Sequence, residues 1–204
     1  VWTELLKHER NRLGVLEELE AQGAFSGLVQ KNGSCWIGRF FCPPEEAERT
    51  ARLIGLGAVK YAELSQNRLT DYVFSWDKLL AFEGNTAPYL QNAYVRIRSI
   101  FRRAEEPANP AAPIFLNEPA ERALGLKLLQ YAETVPLVLE EFRPNLLANY
   151  LYELANTYHS FYEACPVLKA DPASRASRLL ISDITARTLA HGLGLLGIGC
   201  PERM

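Results

Sequence analysis

The chain has 204 residues, of which 48% are hydrophobic and 23% are charged. This composition supports at least one buried core and excludes an intrinsically disordered chain, which needs low hydrophobicity and a high net charge. The formal net charge of -2 neither favours nor excludes a nucleic-acid partner, because a local basic patch can be balanced by acidic surface elsewhere.

Cysteine usage and hydropathy favour a cytoplasmic protein. The four cysteines, at positions 35, 42, 165 and 200, form no C-x-x-C pair and have no histidine at zinc-ligand spacing. This pattern predicts reduced thiols and no metal site. No apolar run reaches about 18 residues, and charges occur throughout the first twenty residues, so neither a transmembrane helix nor a signal peptide is predicted. Because the chain begins with Val1, we expect it to be a fragment of a longer protein.

The first 84 residues divide into four predicted stretches. Leucines at helical spacing predict an amphipathic helix over residues 1–22. Residues 24–43 mix glycines and aromatics without a clean period, which predicts a hairpin or an irregular segment. Pro44 then begins a helix that is predicted to run to Leu64, and the alternation over residues 69–76 predicts an extended segment.

The next predicted helix is both apolar and basic. Asn85 or Thr86 can cap it, with Pro88 in its first turn. One side is apolar, and the other side carries arginines at positions 96, 98, 102 and 103. Prolines at positions 107, 110, 113 and 119 then interrupt the chain, which predicts a loop and the clearest internal boundary.

Three more helices are predicted after this loop. The first begins at Pro119, and Pro136 is expected to kink or break it. The second runs from about residue 145 to 164, with a buried stripe of leucines and aromatics. Ser174 can cap the third, and Gly197 is its predicted stop. The predicted fold is all-α, a helical bundle preceded by a short irregular segment.

No motif for catalysis is present. The sequence contains neither a G-x-x-x-x-G-K-[ST] loop, nor G-x-G-x-x-G after a strand, nor H-E-x-x-H. The three histidines, His8, His159 and His191, have no cysteine or serine partner at a defensible spacing. We therefore predict no catalytic and no cofactor-binding residue in this chain.

Binding residues are easier to identify. Tyr89, Asn92 and Arg96 follow one another at spacings of three and four, so they share a helix face. A ring that stacks, an amide that reads a base edge and a guanidinium that meets phosphate suit single-stranded RNA. The alternative is that Tyr89 and Tyr94 belong to the core and the arginines form a solvated face.

A second aromatic group lies in the segment NYLYELANTYHSFYEACP, residues 149–166. Its rings cover more of a helix than one buried stripe needs, and tyrosine tolerates the surface because its hydroxyl stays solvated. We expect most of these rings to be buried and some to reach the surface or a partner.

Several segments resemble the arginyl-tRNA synthetase family. The run FEGNTAPYLQ, residues 82–91, is similar to the family segment that joins the catalytic core to the anticodon-binding domain. Two further segments, LANYLYELANTYHSFYEACPVL and SRLLISDITARTLAHGLGLLGI, and the terminal PERM resemble its C-terminal helical domain, the DALR domain. The likeness covers residues 44–204. It implies an unassigned segment over 1–43, a connector over 44–84 and a DALR-type helical domain over 85–204.

The resemblance also implies site residues. Tyr89, Tyr162 and the terminal Met204 match family positions beside the anticodon, and Arg96 matches a basic position near the tRNA backbone. Asn92 stands where the family usually has a second aromatic, which weakens stacking there but leaves an amide that can read a base.

The implied partners are a tRNA for arginine and the catalytic domain of the same enzyme, with neither DNA nor a membrane. The complete family enzyme uses ATP and magnesium to attach arginine to its tRNA. Neither a HIGH-type nor a KMSKS-type sequence is found here, so we expect no aminoacylation by this chain alone. The alternative function is a helical protein-interaction domain that has lost tRNA binding.

Overall fold

A computed structural model describes residues 44–69, 71 and 75–204. Regular structure in this part of the chain is helical, which confirms the all-α prediction. The helices are α1 (Pro44–Leu64), α2 (Trp76–Leu79), α3 (Ala87–Ala104), α4 (Pro119–Leu129), α5 (Tyr131–Glu141), α6 (Pro144–Ala164) and α7 (Pro172–Leu195). The helix and the irregular segment predicted over residues 1–43 lie outside the described residues.

Helix α6 is the centre of the bundle. It packs against α1, α3, α4, α5 and α7. Its predicted apolar stripe is confirmed, because Leu151, Leu154 and Phe161 are fully buried and Leu147 and Tyr158 nearly so. Burial of each such side chain contributes about 1.5–3 kcal/mol to stability. Helix α3 packs against α1, α6 and α7, so the predicted site helix rests on the core of the bundle.

The helix ends follow from capping chemistry, with one correction. Thr86 caps α3, as one of the two predicted candidates. Ser174 does not cap α7. Asp171 takes that role, because its Oδ1 accepts from the backbone N–H groups of Ala173 and Ser174, both at 3.1 Å. Pro172 at the first helical position needs no hydrogen-bond acceptor for its nitrogen, so the helix begins three residues earlier than predicted.

Two other predictions of element ends are wrong. The helix that begins at Pro119 breaks at Gln130, and Pro136 lies inside α5. Proline leaves the carbonyl four residues earlier without its helical donor, and here that residue, Ala132, is exposed, so water can replace the donor. Trp76 begins the short helix α2 instead of continuing an extended segment. Of the stretch before it, the structure describes only residues 69, 71 and 75.

The last helix ends as predicted at Gly197. The Ile198 N–H donates to the Leu193 carbonyl at 2.9 Å, and Gly197 has a φ of 69°. This left-handed residue and its six-to-one hydrogen bond form a Schellman motif, for which glycine is the least strained residue. The motif turns the chain back, and residues 197–204, which we call the strap, then run along α1 and α3.

Candidate nucleic-acid interface

The predicted face of α3 is built from its first three turns. Thr86 Oγ1 accepts from the Tyr89 N–H at 3.3 Å and donates to the Ala81 carbonyl at 2.6 Å, which fixes where the helix starts. Asn92 is half-buried and Arg96 is exposed. Neither side chain forms a hydrogen bond or an ion pair with the described residues, so both polar groups are available to a ligand.

Tyr89 is held in place by α6. Its hydroxyl donates to Asn156 Oδ1 at 2.6 Å, and its ring meets the Tyr152 ring edge-on, with centroids 5.7 Å apart. Burial raises the pKa of Tyr89, the neighbouring Tyr152 raises it further, and Arg96 lowers it. Tyr89 is half-buried. Its exposure is therefore intermediate between the exposed stacking ring and the core residue that the sequence left as alternatives. The fixed ring needs no reordering to offer its outer side.

Helices α3 and α6 run in parallel along this face. Asn85 Nδ2 donates to Asn149 Oδ1 at 3.2 Å, and Tyr89 meets Asn156, pairs that are 64 and 67 residues apart. The same offsets put Arg96 level with residues 160–163. Tyr162 is in that stretch and is 43% exposed. Tyr162 is therefore near the height of Arg96, but it is rotated by about 240° from Asn156 along α6 and so lies on another side of that helix.

The other rings of the aromatic group are structural. Tyr150 and Tyr158 are buried, and their hydroxyls donate to the Lys127 carbonyl at 2.8 Å and to Ser182 Oγ at 3.2 Å. Burial raises the pKa of both groups. The prediction that most of these rings are buried and some reach the surface is confirmed, with Tyr162 as the exposed one.

The strap follows a different side of α3. Gln91 donates to the Gly199 carbonyl at 2.7 Å, Arg102 donates to the Glu202 carbonyl at 3.2 Å, and Arg98 Nε lies 3.7 Å from the Glu202 carboxylate. Successive helical residues are rotated by about 100°, so these positions lie on another side of the helix from Tyr89, Asn92 and Arg96. Met204, at the end of the strap, is half-buried.

We use the name open face for the surface formed by Tyr89, Asn92 and Arg96 of α3 with Tyr152 and Asn156 of α6. Sequence reasoning missed Tyr152 and Asn156. Their spacing from Asn149, three and then four residues, is a helical stripe of polar and aromatic residues that is visible in the sequence. The signal was hidden because the adjacent tyrosines, Tyr150 and Tyr158, belong to the core stripe.

The remaining chemistry of the described residues is sparse. Among them, no three His, Cys, Asp or Glu side chains are grouped as a metal site would require. No helix in this part of the chain is long and apolar enough to cross a bilayer. The buried Arg178–Glu121 ion pair, at 2.7 Å, joins α7 to α4 and is part of the scaffold.

The sequence matches two known protein families. Residues 90–204 match the DALR anticodon binding domain family, and residues 39–76 match the catalytic domain of the class I tRNA synthetases for arginine. The arginine–tRNA ligase of Laribacter hongkongensis is 52% identical over 190 residues, which are 93% of this chain and 32% of the relative. That of Cellvibrio japonicus is 53% identical over 78% of this chain and 28% of the relative. The first match covers 190 of the 204 residues. It must therefore include part of residues 1–43, the segment that the resemblance left unassigned.

Solved structures agree with the sequence relatives. The arginyl-tRNA synthetase of Thermus thermophilus matches with a TM-score of 0.77 and 36% identity, over 94% of this chain and 32% of that one. The enzyme of Plasmodium falciparum matches with a TM-score of 0.76 and 28% identity, over 94% and 33%. The chain thus spans about a third of the length of these relatives.

Proposed function

The chain belongs to the DALR anticodon binding domain family, and on this premise we propose that its open face binds the anticodon arm of a tRNA for arginine. The observation that carries the proposal is the fixed Tyr89 ring beside Asn92 and Arg96, two polar side chains without a partner among the described residues. Its relatives are arginine–tRNA ligases, which supports the choice of tRNA.

Each group of the open face has a distinct task in this proposal. An unpaired base stacks on the outer side of the Tyr89 ring, or outside this face on the exposed Tyr162 ring, and stacking contributes about 1–3 kcal/mol per base. The Asn92 amide has both donors and an acceptor for a base edge. Arg96 neutralises a phosphate. Met204, which the family resemblance assigns to the same pocket, approaches from the strap.

Arginine activation belongs, in this proposal, to a longer protein. The chain spans about a third of its relatives, and only residues 39–76 match the catalytic family. ATP and magnesium would serve that catalytic part, which is also the expected partner of the 44–84 connector. The 85–204 region would then deliver the tRNA, in the cytoplasm. A single measurement checks this assignment: we expect no ATP–pyrophosphate exchange by the purified chain, and exchange above background would contradict it.

A gel-shift comparison tests the tRNA proposal. The chain is titrated with a tRNA for arginine and with the same tRNA carrying a changed anticodon. We expect the unchanged tRNA to bind more tightly, by roughly five- to hundredfold, since a lost hydrogen-bonded contact to a base edge costs about 1–3 kcal/mol. Equal binding of both tRNAs would show that the anticodon is not recognised and would overturn the proposal.

One observation favours a second function, a protein-interaction domain. Helix α5 has no fully buried residue, and Leu129, Leu139 and Phe142 are each more than two-thirds exposed. Exposed apolar side chains often mark a protein interface when they form one patch. Salt separates the two functions. RNA binding through arginines weakens steeply as salt rises because counterions are released, whereas apolar docking does not.

A further inference from the structure

We propose that Gln91 is the positioning residue that fixes the strap on α3 and thereby sets where Met204 stands. Gln91 is fully buried in α3, one residue before Asn92 of the open face. Its Nε2 donates to the Gly199 carbonyl at 2.7 Å, a contact between residues 108 apart in the chain. The role of Gln91 in fixing the strap is a property of the free protein. Only its effect on RNA affinity rests on the proposed function.

The surroundings of Gln91 are shaped for this contact. A Cβ atom added at Gly57 of α1 would lie 3.0 Å from Gln91 Nε2 and 3.0 Å from Ile198 Cγ2. Glycine at this position therefore lets α1, the Gln91 amide and the strap meet at one point. Any larger residue at position 57 pushes on the amide and on the strap at once, which makes this junction more specific than ordinary helix packing.

The contact also differs from the other polar links to the strap. Lys60 donates to the Gly197 carbonyl at 2.7 Å, and Arg102 donates to the Glu202 carbonyl, but both of these bonds are exposed. The Gln91 side chain is shielded from water, and its Oε1 is buried without a hydrogen-bond partner. The bond itself is partly buried, because Gly199 is exposed, and a donor in a less polar environment forms a stronger hydrogen bond than one in water.

Substitution of Gln91 by methionine separates positioning from folding. Gln91→Met keeps the side-chain length, removes the bond to Gly199 and also removes the unpaired buried oxygen. Loss of the bond destabilises the strap, whereas loss of the orphan acceptor favours the fold. We therefore expect nearly unchanged thermal unfolding together with a looser strap. A residue that served stability alone would not produce this combination.

Two native cysteines report the result. Cys200 lies in the strap and is half-buried, whereas Cys165 is fully buried at the end of α6. In a pulse of iodoacetamide at neutral pH, quantified by peptide mass spectrometry, we expect Gln91→Met to speed labelling of Cys200 by roughly two- to tenfold, the range of one hydrogen bond. Cys165 should stay protected. Unchanged labelling of Cys200, or an equal rise at both thiols, would overturn the proposal.

Two further variants separate a loosened strap from a general loss of stability. Leu124→Ala removes a fully buried side chain of α4 that is not part of the strap contacts, so it should speed labelling of both thiols together if it speeds either. Gly57→Ala retains Gln91 but crowds its amide and Ile198. It should reproduce the selective effect on Cys200, and it decides the question if Gln91→Met does not fold. A normal Cys200 rate in Gly57→Ala would contradict the proposal.

Binding of an anticodon stem-loop tests the step to Met204. We expect Gln91→Met to raise the dissociation constant by roughly two- to tenfold, because a loosened strap is competent for binding only part of the time. A chain shortened by Met204 should also bind less tightly, and the combination should be no worse than the larger single effect. Additive effects would show that Gln91 does not act through Met204. If Tyr89→Ala leaves binding unchanged, the tRNA proposal fails, while the labelling result still decides the role of Gln91.

Discussion

The two sides of helix α3 carry similar side chains, but these side chains differ in their hydrogen-bond and ion-pair partners. On the strap side, Gln91, Arg98 and Arg102 contact the strap at Gly199 and Glu202. On the open face, Asn92 and Arg96 form no side-chain hydrogen bond or ion pair within the described residues. Both sides carry amides and arginines at helical spacing, so composition alone does not separate them.

The difference shows which polar groups a ligand can use. An arginine that already contacts a carboxylate must give up that contact before it can bind phosphate, whereas a free arginine releases only water and counterions. The strap therefore contacts Arg98 and Arg102, whereas Arg96 has no hydrogen bond or ion pair with the described residues. Matching residues on the two sides should therefore respond differently to substitution.

The largest effect is expected at Tyr89. Tyr89→Ala removes the ring and should weaken binding of an arginine tRNA stem-loop by about 1–3 kcal/mol, measured by fluorescence anisotropy. Tyr94→Ala is the control, because Tyr94 is a half-buried tyrosine of the same helix that faces Glu202 on the strap side. Because Tyr94 contacts the strap, Tyr94→Ala should weaken binding only as far as it loosens the strap, which is less than the loss in Tyr89→Ala. Equal losses in the two variants would mean that the two sides of α3 do not differ.

Tyr89→Phe sharpens this result. It removes only the hydroxyl, which donates to Asn156 at 2.6 Å, and leaves the stacking ring. We expect binding to fall by less than in Tyr89→Ala. The unfolding free energy should fall by about 0.5–1.5 kcal/mol, as for one hydrogen bond. A loss of binding as large as that of Tyr89→Ala would instead assign recognition to the hydroxyl.

The next effect concerns the arginines. Arg96→Gln on the open face should reduce the slope of log affinity against log salt by about 0.7, the value for one contact to single-stranded RNA. Arg98→Gln changes the net charge equally, but Arg98 faces Glu202, so the slope should hardly change. Titrations of both variants at three salt concentrations measure this. Equal slopes would show that the two variants alter only the overall charge.

The open face and the strap side were not equally predictable from sequence. Tyr89, Asn92 and Arg96 were found because residues that share a helix face have a fixed spacing. Gln91 was not, because its partner Gly199 lies 108 residues away and no local pattern encodes such a contact. The place of Pro136 inside α5 was missed for a similar reason. The sequence marks Pro136, but the cost of a proline depends on whether the carbonyl before it reaches water, which is a tertiary property.

The smallest expected effect is a pH dependence confined to the strap side. Burial raises the pKa of Cys200 to about 11, and the Glu202 carboxylate contributes to the rise. A raised pKa means that the packed strap binds the thiol proton more tightly than a released strap does. This stabilisation is therefore complete below the usual thiol pKa of about 8.5 and is lost as the pH rises through about 11.

Alkylation of Cys200 across this range measures the effect. In the unchanged chain the rate should keep rising to about pH 11, because only the thiolate reacts. In Gln91→Met the midpoint should move down towards the usual value, since the loosened strap exposes the thiol to water. Thr86→Ala is the control: it removes the cap that starts α3 and leaves the strap contacts intact, so its midpoint should match that of the unchanged chain. A midpoint near 8.5 in the unchanged chain would mean that the strap is already loose, and the two sides of α3 would then be equally open.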